Sequence, residues 1–414
     1  MVRRLRAAPN LYTIPAGVPF ARSLAQGVLE RYGDDPDRLA RVTVLLPTRR
    51  AARTLREEFL RLTEGRPLML PTMRPVGDVD EDELLFFAPA VEAELNLPPP
   101  TPPIWRQLTL TRLVQEWQQR SRGEAMHPAQ AAVLASELGR FLDQVAIEGL
   151  AFTALDNLVK ENFATHWQKT LDFLDIVGSA WPAIVAERGY IDGAERRTRL
   201  TEALIGLWST QPPDEPVIAA GSTGSLPATA RLLALVARLP EGAVVLPGLD
   251  IDLDQESWDA IDPTHPQYTM KALLSGPMGA VREEVRLWRE ADRTPNLNER
   301  RQLLREALRP AATTTAWPEI AIDRKRALKG LRRIDAPGPR EEAGVIALLM
   351  REALETPERT AALITPDRSL ARRVAGELKR WDIAVDDSAG VPLNHTPPGA
   401  FLGLTADMAA ERFA

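Results

Sequence analysis

The chain contains no cysteine, which excludes a disulfide framework, a thiolate zinc site and any iron–sulfur ligand within these residues. Histidine is nearly as scarce. His127, His166, His265 and His395 are the only four, and their separations match no metal-ligand spacing. A nucleophilic triad would have to rest on one isolated histidine, so no catalytic constellation emerges. No apolar run approaches the roughly 20 residues that a membrane-spanning helix needs. The opening MVRRLRAAPN is basic but leads into no apolar segment, so no signal peptide is expected. Lysine is also rare, six of the 51 basic residues. With abundant Ala and Pro, that arginine bias reads as a GC-rich genome rather than as selection for phosphate binding. These absences together point to a cytoplasmic bacterial protein.

What is present is enough for two or three domains: 414 residues, 44% of them hydrophobic. The net charge of −6 argues against a uniformly basic coat for nucleic acid. It leaves room for a local basic groove, because a handful of placed cations suffices for phosphate contacts. Leu11–Ile14 reads as a strand, Pro15-Ala16-Gly17 as a turn, and Phe20–Tyr32 as a helix. Val42–Leu46 is a buried-type strand, after which Pro47-Thr48 opens a helix with Ala52, Leu55, Phe59 and Leu62 inward. Two such units in succession predict parallel strands with crossover helices. The run Pro98-Pro99-Pro100-Thr101-Pro102-Pro103 is a stiff extended connector. Beyond it the pattern is helical, over Trp105–Gln119, Pro128–Val145 and Trp167–Glu187.

Strand patterns return at Val217–Ala220 and Ala243–Leu246, so the first domain is expected to be discontinuous, residues 1–97 plus 214–265, with 98–213 an all-helical insertion. Residues 266–330 read as a helical, charged connector. A second α/β unit over 331–414 is expected from strands at Leu331–Ala336 and Ala361–Ile364, with helices through Glu341–Ala353 and Leu370–Trp381. This unit is expected to be incomplete at Ala414.

Three loops follow strands and carry the site candidates. The first reads Thr13-Ile14-Pro15-Ala16-Gly17-Val18-Pro19-Phe20-Ala21-Arg22-Ser23. A working phosphate loop needs glycines, a lysine and a hydroxyl for Mg²⁺. Here only Gly17 remains, and Pro19 removes an amide, so the loop is a degenerate phosphate loop or a plain turn. In the second, Thr48 can cap a helix whose first-turn amides, dipole and Arg49, Arg50 and Arg53 together make a phosphate site; the alternative is a solvated arginine face. The third, Gly221-Ser222-Thr223-Gly224, lets the backbone come close to a phosphate or simply makes a tight turn. The acidic run Asp78…Asp80-Glu81-Asp82-Glu83 reads as a solvated loop. Metal binding at Asp250, Asp252 and Asp254 is the less favoured reading of that alternation.

The segments Leu46–Ala52, Gly221–Ala230, Leu246–Asp250, Ala361–Arg368 and Asp386–Gly390, in that order, resemble the AddB family, in a form closest to its alphaproteobacterial members. The resemblance implies a superfamily 1 helicase-like parallel-sheet domain with a helical insertion, followed by part of a second. It implies a non-motor subunit of a double-strand break repair helicase–nuclease that scans single-stranded DNA during end resection, in a heterodimer with an AddA-like motor subunit. It places Thr48, Arg49, Arg50, Arg53 and Gly221–Gly224 at the DNA. Family members continue into a C-terminal nuclease region with an iron–sulfur cluster and a divalent metal, so no cofactor is expected in these residues. Two other readings stand beside it. One is a divergent P-loop ATPase, which nucleotide binding would reveal. The other is an α/β small-molecule enzyme using Gly221–Gly224, against which stand the missing acid–base cluster and the helical insertion.

Overall fold

The structure is a computed structural model describing residues 5, 8–76, 97–123, 126–150, 178–293 and 298–411. The acidic run at Asp78–Glu83, His166 and the first part of the helix expected over Trp167–Glu187 lie outside the described residues. The chain divides into two compact units, Met1–Leu328 and Lys329–Ala414.

Among its described residues the first unit has six strands: β1 (Leu11–Ile14), β2 (Thr43–Leu46), β3 (Thr72–Pro75), β4 (Val217–Ala220), β5 (Gly242–Pro247) and β6 (Arg286–Leu287). Their order is β3-β2-β4-β5-β1-β6 and every pairing is parallel. β2 pairs directly with β4, Val44 opposite Ile218, so strands from either side of the helical stretch share one sheet. Side chains alternate between the faces, as the two-residue period of a strand requires. Ile14, Val44, Leu46, Ile218, Ala220 and Val245 face one layer; Leu11, Leu45, Val217, Ala219, Val244 and Leu246 face the other.

The first face is covered by α1 (Phe20–Tyr32) and α3 (Arg49–Leu62), with Leu24 and Val28 meeting Ala52, Leu55 and Phe59. Between them runs the short α2 (Pro36–Arg41), capped by Asp35. Phe59 is fully buried, and such a side chain contributes about 1.5–3 kcal/mol. The second face is covered by α6 (Gly193–Thr210), α7 (Pro227–Val236) and the short helix Tyr268–Leu273, through Leu204, Trp208, Leu232, Leu233 and Leu273.

Within 98–213, α4 (Pro103–Arg122), α5 (Pro128–Glu148) and a helix over 178–187 form a core of their own from Leu110, Val114, Leu138, Leu142 and Trp181. The proline run is extended: Pro100 bridges Ile191, and Thr101 N donates to Ile191 O at 2.9 Å. α6 packs on both α5 and α7, so the insertion is joined to the sheet along a helix face.

Two strands went unread in the sequence. β3 is an edge strand of four residues, Thr72-Met73-Arg74-Pro75, too short for its alternation to stand out from a loop. β6 has two residues and is held to β1 by Trp288, which is 2% exposed and donates its backbone amide to Thr13 O at 2.9 Å. A two-residue strand leaves no periodic signal. The segment 266–330 thus supplies an edge strand and core residues as well as helices, among them α8 (Asn298–Ala307).

In the second unit α9 (Pro339–Leu354), α10 (Arg368–Lys379) and α11 (Pro397–Ala410) form as helices. Its small core joins Ala343 and Ala347 to Leu370, Val374 and Leu378. The strands expected at Leu331–Ala336 and Ala361–Ile364 are corrected: no strand is present in 329–411 among the described residues. Ile364 is 94% exposed. A strand exists only through a neighbour's ladder of hydrogen bonds, and these segments have none.

Candidate nucleic-acid interface

All six strands point the same way, so the loops after them gather at one edge. In an open parallel sheet, ligands bind there, where neighbouring strands send their chains to opposite faces. This sheet has two such places. β2 leads to α3 on one face, while its neighbour β4 leads to α7 on the other. β1 leads to α1 on the first face, while its neighbour β5 leads to the short helices Gln255–Asp259 and Tyr268–Leu273 on the second.

The β2/β4 crevice brings together two of the loops singled out from sequence. Thr48 caps α3, its hydroxyl accepting from Ala51 N at 3.1 Å. No acidic residue lies in the first turn of α3; Arg49 and Arg50 stand there instead, both exposed. Cations at this positive end of the helix dipole oppose local stability, an arrangement that suits an anion nearby. Arg53, one turn on, is exposed and pairs with Glu57 at 3.3 Å. The opposite lip is the turn Gly221–Ser225. Gly221 and Gly224 have φ of +80° and +69°, and Gly224 N donates to Ser222 Oγ at 3.3 Å. A Cβ on Gly221 would lie 3.3 Å from the Phe20 ring and 3.5 Å from Pro47, and one on Gly224 would lie 2.9 Å from Leu273. The glycines are therefore required by backbone and packing before any ligand is considered. Thr223 is half-buried on the same lip. Phe20 and Pro47, which join the two loops, were not read as site residues; only their positions flanking strand ends hinted at it.

The β5/β1 crevice contains the degenerate loop. Pro15–Val18 is a tight turn closed by Val18 N donating to Pro15 O at 3.2 Å, with Gly17 at φ +85°. That is a type II turn with glycine in its third position, and Pro15 and Pro19 contribute no amides. Ser23 sits in α1 and donates to Asp292, both nearly fully buried. Its hydroxyl is thereby committed within the fold.

Asp250, Asp252 and Asp254 follow β5. Arg305 pairs with Asp250 at 2.9 Å and Asp252 at 3.1 Å, and Arg309 pairs with Asp254 at 2.8 Å. Burial works against the charge of Arg305, but hydrogen bonds and attraction from Asp250 and Asp252 outweigh it and raise its pKa. Partial burial likewise opposes the charge of Asp254, but hydrogen bonds with Ser257 and the Arg309 guanidinium hold the carboxyl below its usual range. These carboxylates balance arginines; among the described residues no group of three or more His, Asp or Glu has a metal-binding arrangement. His127 caps α5 through Nδ1, and His265 places Nε2 2.9 Å from Leu308 O.

No helix among the described residues is long and apolar enough to cross a membrane. No protein-family model matches the chain, and no curated protein is significantly similar to it.

Proposed function

We propose that this chain is an AddB-like, helicase-like subunit that holds single-stranded DNA without acting as a motor, within a cytoplasmic helicase–nuclease that resects double-strand breaks. The observation that carries the reading is the β2/β4 crevice. Two loops far apart in sequence meet there at the sheet edge where open parallel sheets take ligands, with α3 presenting its amino end and three exposed arginines. The segments that resemble AddB at Leu46–Ala52 and Gly221–Ala230 supply both lips. A motor role is disfavoured because the β1 loop lacks the lysine that a P-loop aims at phosphates. On this reading an AddA-like partner supplies the motor. Iron–sulfur and divalent-metal chemistry belongs to the family's nuclease region, and duplex ends are delivered as substrate.

The test is oligonucleotide binding by the full chain, and by its complex with the partner, across a salt series. Replacing Arg49 and Arg53 together with Ala should weaken binding to every sequence alike. It should also lower the slope of log K against log salt by roughly 0.7 per lost phosphate contact. Unchanged affinity and slope would reduce these arginines to a solvated helix face.

A further inference from the structure

Among the described residues, a distant part of the same chain lies across the β5/β1 crevice. α8 is tied to both of its lips. Arg301 Nε donates to Ala16 O at 2.7 Å, inside the degenerate turn. Arg305 grips Asp250 through Nε, 3.0 and 2.9 Å from the two carboxylate oxygens, and reaches Asp252 through Nη2 at 3.1 Å. Beyond the end of α8, Leu308 O meets His265 and Arg309 pairs with Asp254. The lip beneath is braced by Gln267, which accepts from Asp250 N at 3.1 Å and donates to Gly248 O at 3.0 Å. A cleft of about 560 Å³ remains between α8 and the loops. Burial lowers the pKa of Arg301, with the Asp252 and Asp292 charges pulling the other way.

We propose that α8 is a latch that keeps the β5/β1 crevice closed to phosphate ligands, with Arg305 as its anchor and Arg301 as the group that takes the turn's carbonyl. The inference rests on the functional reading above, in which phosphates are taken at the β2/β4 crevice alone. Loss of the phosphate-loop lysine and closure by α8 are then two aspects of one change: the turn has exchanged a ligand for an intramolecular partner. The anchor is a forked, partly buried ion pair, which fixes geometry as well as charge. Opening the crevice means breaking it.

The experiment is hydrogen exchange on the full chain, with inorganic pyrophosphate as the probe, for the wild type, Arg305→Ala and Asp252→Asn. In the wild type, pyrophosphate should leave the amides of 16–18 and 248–253 unchanged. In Arg305→Ala, exchange over 298–308 should rise about tenfold or more while β2 and β4 keep their protection, and pyrophosphate should then slow exchange at 16–18. Asp252→Asn removes an exposed partner and should give a smaller rise in the same segment. Protection of the wild-type turn by pyrophosphate overturns the proposal whatever the variants do. So does unchanged exchange over 298–308 in Asp252→Asn, or in an Arg305→Ala protein that stays folded. Oligonucleotide affinity, measured in parallel, reports on the functional reading alone: Arg305→Ala should leave it intact where Arg49→Ala with Arg53→Ala does not.

Discussion

The two crevices at the carboxyl edge of the sheet arise from the same topology and have opposite fates. At β2/β4, glycines hold one lip in left-handed backbone against Phe20, Pro47 and Leu273, and the arginines on the other lip are exposed. At β5/β1, arginines from α8 are drawn in to carbonyl and carboxylate partners. Strand order creates a place for a ligand; whether a ligand or the chain itself fills it depends on which acceptors line the lips. Acidic lips at Asp250 and Asp252 recruit cations from within. The lips at Thr48 and Ser222 carry hydroxyls that accept from backbone amides instead.

The comparison is broken most forcibly at the glycines. Gly224→Ala puts a Cβ 2.9 Å from Leu273 on a backbone with φ +69°, and it should destabilise the first unit by about 2–4 kcal/mol, strain and overpacking together. Denaturant unfolding measures it; a loss below about 0.5 kcal/mol would show the turn free to relax. Breaking the other crevice costs less. Arg305→Ala should lower stability by about 2 kcal/mol, between the ranges for exposed and fully buried pairs, because it strands a partly buried Asp250. A chevron or urea titration checks this figure.

Acid sharpens the contrast further. The Asp254 carboxyl has its pKa lowered in the fold, so its contribution is present above the ordinary carboxylate value of about 4 and is lost as pH falls through the lowered folded value. Melting temperature should therefore hold steady from pH 7 to 5 and fall more steeply below pH 4 in the wild type than in Asp254→Asn. Parallel curves for the two proteins would mean that the Ser257 and Arg309 contacts of Asp254 add nothing to acid stability. The smallest effect on stability belongs to Arg49→Ala with Arg53→Ala, within about 0.5 kcal/mol of wild type, since the buried stripe Ala52, Leu55 and Phe59 is untouched. A larger loss in thermal unfolding would give those arginines a structural task.

Legibility followed the length and regularity of each signal. The strand at Leu11–Ile14, the helix at Phe20–Tyr32 and the Thr48 cap stand where the sequence puts them, because each rests on local pattern. The return of a buried-type strand at Val217 placed β2 and β4 in one sheet, and the structure made them direct neighbours. β6 could not be read, since two residues carry no period. The segment from Asn298 to Arg309 looked like a charged connector, although Arg301 and Arg305 share one helix face at i, i+4. Nothing local told those arginines apart from solvated ones; their partners at Ala16 and Asp250 lie far away in the chain. Likewise the apolar runs at Leu331–Ala336 and Ala361–Ile364 carry strand composition, but composition brings no neighbouring strand.

The sequence by itself determined the alternation of strands and helices in the first unit, the tight turn at Gly17, the cap at Thr48 and the missing phosphate-loop lysine. Each depends on residues within about one helical turn of one another. Only the tertiary structure decided strand order, the split of helices between the two faces, and hence the existence of two crevices. It alone decided that α8 lies across one of them. Those outcomes depend on hydrogen-bond and charge partners far apart in the chain, 55 residues for Arg305 and Asp250 and 285 for Arg301 and Ala16. A chain's local pattern specifies which groups need partners without specifying where they are found.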